Sequence, residues 1–115
     1  MSCNSGRMSA LSMTPEPPYL AVIFASTTSD DTEGYAEAAA RMIELASGQP
    51  GFLGVDSARS DGVGITVSYW HTEADVRAWK EHAEHTVIRE MGRNRWYDAY
   101  ELRVARVERG YGWRR

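Results

Sequence analysis

The stretch that decides the fold is residues 52–71, which read FLGVDSARSDGVGITVSYWH. Two segments of strand length, Phe52–Ser60 and Val63–His71, flank the pair Asp61-Gly62. An Asp-Gly pair in this position is a strong signal for a tight hairpin turn, because both residues tolerate the positive φ angles that such a turn needs. The stretch therefore predicts two adjacent antiparallel strands.

A strand and a helix are predicted before this hairpin. Residues Tyr19–Ala25 form a continuous apolar run, which is typical of a strand buried on both faces. From about Glu33 to Ser47, apolar residues recur at helical spacing. Gly48 and Pro50 then end the helix, because glycine accepts the left-handed position after a helix and proline cannot continue one.

A second helix and a fourth strand are predicted after the hairpin. Thr72 and Asp75 have the spacing of a helix-capping pair, and helical periodicity continues to about Gly92. Tyr97–Arg109 alternates apolar and polar residues and predicts a long final strand. The predicted order is β-α-β-β-α-β.

This order predicts an α+β fold of the ferredoxin-like type, with a four-stranded antiparallel sheet and both helices on one face. The third strand carries apolar groups on both of its sides: Ile65 and Val67 point one way, and Trp70 points the other. The face without helices therefore needs a cover. Two sheets packed face to face would provide it, and we expect a homodimer.

Length and cysteine content limit the classes of protein. The chain has 115 residues, which suits one domain. We predict an extended arm over residues 1–18, rich in Ser, Met and Pro, and a folded domain over residues 19–112. Cys3 is the single cysteine, which excludes an internal disulfide and a zinc-thiolate site and favours the reducing cytoplasm.

The charge distribution argues against two kinds of partner. The formal net charge is −3, which lacks the basic footprint of a nucleic-acid-binding domain. No apolar run approaches the roughly 18 residues of a membrane span. Residues 1–58 carry −5 and residues 59–115 carry +2, a division that could help to align two subunits or could be ordinary solvated charge.

Several segments carry a family resemblance. They are QPGF at residues 49–52, WKEHAEH at 79–85, GRNRWY at 92–97 and RVARVER at 103–109, together with Trp70 at the end of the third strand. Over roughly residues 18–112 the chain resembles the antibiotic biosynthesis monooxygenase superfamily. The resemblance implies a dimeric α+β barrel.

The same resemblance implies a choice between activities. Its haem-degrading branch has an Asn on the first strand, where this chain has Ala25 and Ser26 instead. That branch also has an iron-ligating His late in the second helix, where this chain has Arg89 or Glu90. Haem degradation is therefore not expected. The cofactor-independent oxygenases pair the strand Trp with an Asn, and Thr66 stands in that place. The resemblance implies chemistry with dioxygen, no cofactor and no metal.

A pocket is predicted between the sheet and the helices. Thr66, Ser68 and Trp70 share one face of the third strand, and Trp79 lies on the apolar face of the second helix. The first helix leaves volume beside them through Ala36, Ala39, Ala40 and Ala46. These residues are candidates for binding a small aromatic molecule. Alternatively, both tryptophans belong to an ordinary core.

Two histidines and an arginine are the candidates for chemistry and charge. His82 and His85 are three apart on a helix, and either could deprotonate a phenol near neutral pH. The alternative is that both are surface residues. Arg93 could hold an anionic group of the substrate or pair with an acidic residue of the first helix.

Two functions follow from these candidates. The first is a monooxygenase that acts on a small aromatic or polycyclic phenol or hydroquinone. The second is a non-catalytic module of the same fold, which binds a small ligand or serves in assembly.

Overall fold

The computed structural model describes residues 11–83 and 96–115. The strands and helices follow each other in the predicted order, which is thereby confirmed. They are β1 Tyr19–Thr28, α1 Tyr35–Ser47, β2 Phe52–Ser60, β3 Val63–Trp70, α2 Glu73–Ala83 and β4 Tyr97–Val107. The predicted end of the second helix, near Gly92, lies outside the described residues.

The four strands form one antiparallel sheet in the order β2-β3-β1-β4, with both helices packed on the same side. The ferredoxin-like α+β prediction is therefore confirmed. We call the side that faces the helices the inner face. Along β3 it carries Gly64, Thr66, Ser68 and Trp70, because successive strand residues alternate between faces.

The core lies between the inner face and the helices. Its buried members are Val22 of β1, Ala46 of α1, Trp70 of β3, and Val76 and Trp79 of α2. Removing such apolar groups from water supplies the main driving force for folding. The tryptophans predicted from the apolar spacing thus lie at the centre of the molecule.

Two turns fix the hairpin and its approach to α2. Asp61 and Gly62 both have positive φ angles, 53° and 79°, as the predicted hairpin turn requires. Gly51 has a φ of 82°, and a Cβ atom there would lie 2.1 Å from Oδ2 of Asp75. Glycine is therefore needed in the QPGF segment for conformation and for space.

The helices begin differently. In α2, Thr72 Oγ1 accepts a hydrogen bond from the Asp75 backbone N–H at 3.1 Å, as the capping spacing predicts. In α1, Gly34 takes the N-cap position with no side-chain hydrogen bond, and the first helical residue is Tyr35. Neither α1 nor α2, the helices of the described residues, is long and apolar enough to cross a membrane.

The N-terminal segment packs on the opposite side of the sheet, which we call the outer face. Ser12 donates its backbone N–H to Oδ1 of Asp56 at 2.8 Å, and its hydroxyl donates to the carbonyl of Val55 at 2.9 Å. Tyr69 donates its hydroxyl to the other Asp56 carboxylate oxygen. Burial, followed by this hydrogen bond, raises the pKa of Tyr69 to about 12. Ser12 is therefore bound to the outer face of the sheet at β2.

Part of the outer face remains exposed. Val63 and Ile65 of β3 are 53% and 49% accessible, although both are apolar and lie in a strand. These two side chains lie two residues apart and form an exposed apolar pair on the outer face of β3.

Candidate functional site

A cavity of about 150 Å³ lies between the inner face and the two helices. Its α1 side is lined by Ala38, Ala39 and Ala46, so the alanine-rich helix does leave space beside the sheet. The predicted contribution of Ala36 and Ala40 is wrong, because both are exposed on the other side of α1. An apolar cavity of this size can hold one benzene-sized ring.

Hydroxyl groups form the polar part of the cavity floor. The Ser57 and Thr66 hydroxyl oxygens, on neighbouring strands, are 2.7 Å apart. Ser68 is also in the lining, and its Oγ accepts a hydrogen bond from the Trp70 indole N–H at 2.9 Å. The pair Ser57–Thr66 can therefore bond to a ligand oxygen, while Ser68 is held in place by Trp70.

The two predicted tryptophans have different positions relative to the cavity. Trp79 lines it, and its indole stacks on Trp70 with ring centres 5.8 Å apart. Trp70 is completely buried, and the Phe52 ring packs edge-to-face with it at a ring-centre distance of 5.6 Å. Among the described residues that line the cavity, Trp70 does not occur. Its contacts support the wall that Trp79 presents.

Arg59 and two phenols line one end of the cavity, and the exposed Lys80 of α2 is also in the lining. Arg59 donates from Nη2 to Oγ of Ser26, and its guanidinium carbon lies 5.0 Å from the Tyr35 ring centre. Tyr97 packs on Tyr35 with ring centres 5.7 Å apart, and its hydroxyl donates to the Tyr35 hydroxyl oxygen at 3.5 Å. We call Arg59, Ser26, Tyr35 and Tyr97 the Arg59 cluster.

The phenol of Tyr97 is protonated at neutral pH. Burial, followed by the hydrogen bond with Tyr35, raises the pKa of Tyr97 well above its ordinary value. Arg59 lowers the same pKa by its charge, but this effect is the smaller one. Tyr97 can therefore donate a hydrogen bond but is unsuited to act as a base.

Sequence comparison relates the chain to known proteins. Residues 18–91 match the family model of the antibiotic biosynthesis monooxygenases. The chain belongs to this family. It is 54% identical to the uncharacterized protein YqjZ of Bacillus subtilis over 103 residues, which is 89% of this chain and 90% of that protein.

Two solved structures share the family fold. SnoaB, a cofactor-independent oxygenase from Streptomyces nogalater, superposes with a TM-score of 0.64 at 14% identity, covering 82% of this chain and 97% of that one. PA3566 from Pseudomonas aeruginosa gives 0.64 at 13% identity, covering 84% and 99%. At these identities the likeness establishes the fold that this family member adopts.

Of the two histidines and the arginine predicted as site residues, His82 is the one that lies in the described part of the chain. His82 is exposed on α2, and its imidazole centre lies 5.8 Å from the Trp79 ring centre. It is not among the described residues that line the cavity. His85 and Arg93 lie outside the described residues. No three His, Cys, Asp or Glu side chains of residues 11–83 and 96–115 are grouped as metal ligands.

The Arg59 cluster was missed by the sequence reasoning, although a signal for part of it exists. The hairpin turn pairs Ser57 with Thr66 and Arg59 with Gly64. Once Thr66 is assigned to the inner face, the period of two places Ser57 and Arg59 there as well. Tyr35 and Tyr97 join the cluster through tertiary packing, which no local pattern signals.

Proposed function

We propose that this protein is a monooxygenase that uses dioxygen to oxidise a small aromatic or polycyclic phenol or hydroquinone, without a cofactor. The observation that carries the proposal is the apolar cavity with hydroxyl groups on its floor, in a chain of the monooxygenase family. The enclosed volume suits one ring, and further rings of a larger substrate would extend through the mouth. The Ser57–Thr66 pair would bond to the substrate's ring oxygen.

The chemistry needs only a base and dioxygen. Removal of a proton from the substrate hydroxyl gives an electron-rich anion that can transfer electrons to dioxygen. One oxygen atom becomes a carbonyl on the ring carbon, and the other leaves as water with two hydrogens of the substrate. We propose His82 or His85 as the base, since an imidazole accepts a proton near neutral pH. Trp70, Trp79 and Ser68 would shape the site, and Arg93 would contact the substrate.

Oxygen uptake tests this function. A panel of phenols, naphthols, hydroquinones and anthrones, without added metal or flavin, should include at least one compound that the protein oxidises. We expect His82→Ala or His85→Ala to lower kcat by about 10²–10⁴-fold, the usual contribution of a general base. His71→Ala is the matched control, because His71 is exposed at the end of β3 and should leave kcat unchanged. Absence of uptake across the panel would contradict the proposal.

A second candidate is a non-catalytic module that binds a small aromatic ligand. The exposed imidazole of His82 favours it, because His82 is not among the described residues that line the cavity. This function predicts quenching of Trp79 fluorescence by a bound phenol, with no oxygen uptake and no effect of the His82 substitution.

We also propose that the protein is a homodimer in the cytoplasm. The exposed Val63 and Ile65 on the outer face support the dimer, since a second sheet would cover them. The single cysteine supports the location, because it suits a reducing compartment. Sedimentation analysis should give twice the mass of the 12.9 kDa chain at micromolar concentration. A stable monomer there would contradict the dimer.

A further inference from the structure

The Arg59 cluster places a positive charge at one end of a cavity whose lining is mostly apolar, and Lys80, exposed on α2, is a second cation in that lining. Arg59 contacts a hydroxyl group and an aromatic ring, both of which are uncharged. No carboxylate among residues 11–83 and 96–115 forms an ion pair with it. The other ionisable groups of the cluster are the phenols of Tyr35 and Tyr97, neither of which supplies a carboxylate. The guanidinium is therefore without a counter-charge within this part of the protein.

The backbone of β3 is adapted to hold this guanidinium. A Cβ atom at Gly64 would lie 2.3 Å from Nη2 of Arg59 and 2.7 Å from its Nε. No side chain larger than hydrogen fits there unless Arg59 moves. The absence of a side chain at Gly64 lets Arg59 cross over β3 and reach Ser26 on β1. The arginine is therefore held over the cavity end by its hydrogen bond and by the ring of Tyr35.

The rest of the cavity supplies a place for a ring next to the charge. Phe24 and Leu102 line the sheet side, and Met42 and Ala39 line the helix side. Phe24 and Tyr97 are in edge-to-face contact at 5.5 Å, so the apolar part adjoins the Arg59 cluster. A ligand that suits both parts has an aromatic ring and one anionic group at its edge.

We propose that the Arg59 cluster binds a carboxylate and that the ligand of the cavity is a hydroxylated aromatic carboxylic acid. A planar guanidinium matches a carboxylate, because it can donate two parallel hydrogen bonds to the two carboxylate oxygens. One Arg59 nitrogen is engaged by Ser26, and the remaining donors of the fork serve the ligand. The Tyr35 and Tyr97 hydroxyl groups lie beside the same anion. This inference rests on the proposed function in one respect: the aromatic ring that carries the carboxylate is taken to be the hydroxylated ring that is oxidised.

The test compares an acid with its neutral isostere. Binding of 2,5-dihydroxybenzoate and of 2,5-dihydroxybenzamide to the full chain is measured by calorimetry, because the two differ chiefly in charge. The wild-type protein should bind the acid at least tenfold more tightly than the amide. Arg59→Gln should remove this preference by weakening the acid alone. Gly64→Ala should also remove the preference for the acid, because the added methyl group displaces the guanidinium. This variant keeps the positive charge of Arg59.

Arg77→Gln is the matched control, since it removes one positive charge from the exposed surface of α2. It should leave the preference intact. Equal binding of acid and amide by the wild type, no binding of either, or a preference that survives Arg59→Gln would overturn the inference. Oxygen uptake on the same samples separates the two proposals. Acid binding without oxygen uptake on this compound or on any member of the panel supports the carboxylate site and contradicts the oxygenase. Oxygen uptake with no preference for the acid supports the oxygenase and contradicts the carboxylate site.

Discussion

Replacing Trp70 with alanine is expected to lower the free energy of unfolding by about 3–5 kcal/mol, the usual cost of removing a large aromatic side chain from a core. Trp70 has no accessible surface and packs between Trp79 and Phe52. Its loss leaves a void between these rings and removes the hydrogen bond to the buried Ser68 hydroxyl. Urea denaturation followed by far-UV circular dichroism measures the change.

Two further variants serve as comparisons for Trp70→Ala. Trp70→Phe keeps an aromatic ring but loses the indole N–H, so its cost should be smaller than that of alanine. Trp113→Ala removes a tryptophan that is 77% accessible and should change the free energy of unfolding by less than about 0.5 kcal/mol. If Trp70→Ala lowers the free energy of unfolding as little as Trp113→Ala does, the Trp70 indole does not stabilise the core and the prediction is wrong.

The architecture could be predicted because its signals are local. The Asp61-Gly62 turn, the helix stop at Gly48 and the capping residue Thr72 each act on neighbouring backbone. Strand alternation then assigns side chains such as Thr66 to a face. The four-stranded sheet follows from the order of these elements and the rule that consecutive elements pack together.

The site was predictable only in part because it depends on distances between elements. Thr66, Ser68 and Trp79 were expected in a pocket and do line the cavity. Trp70 was expected there for the same reason, but its depth depends on how closely α2 packs, which a strand pattern does not encode. Arg59 reaches Ser26 because Gly64 leaves room, and such a contact across three strands has no signature along the chain.

Ala39→Phe should abolish binding in the cavity. Ala39 lies in the cavity wall on α1, and a phenyl group built there projects into the apolar space that a ligand ring would use. We expect at least a hundredfold loss of affinity for the aromatic ligand and a matching loss of any oxygen uptake. The free energy of unfolding should fall by at most about 1–3 kcal/mol, the usual cost of overpacking, because the added ring enters existing space.

Ala36→Phe is the matched control for this prediction. Ala36 is on the same helix but is exposed, so the same ring added there should leave binding unchanged. If the phenyl group at residue 39 prevents folding, Ala39→Leu tests the same wall with a smaller group and should weaken binding in proportion. A folded Ala39→Phe protein with wild-type affinity would show that the ligand binds elsewhere. If Ala39→Phe loses binding and Ala36→Phe does not, the ligand binds in the space between α1 and the sheet.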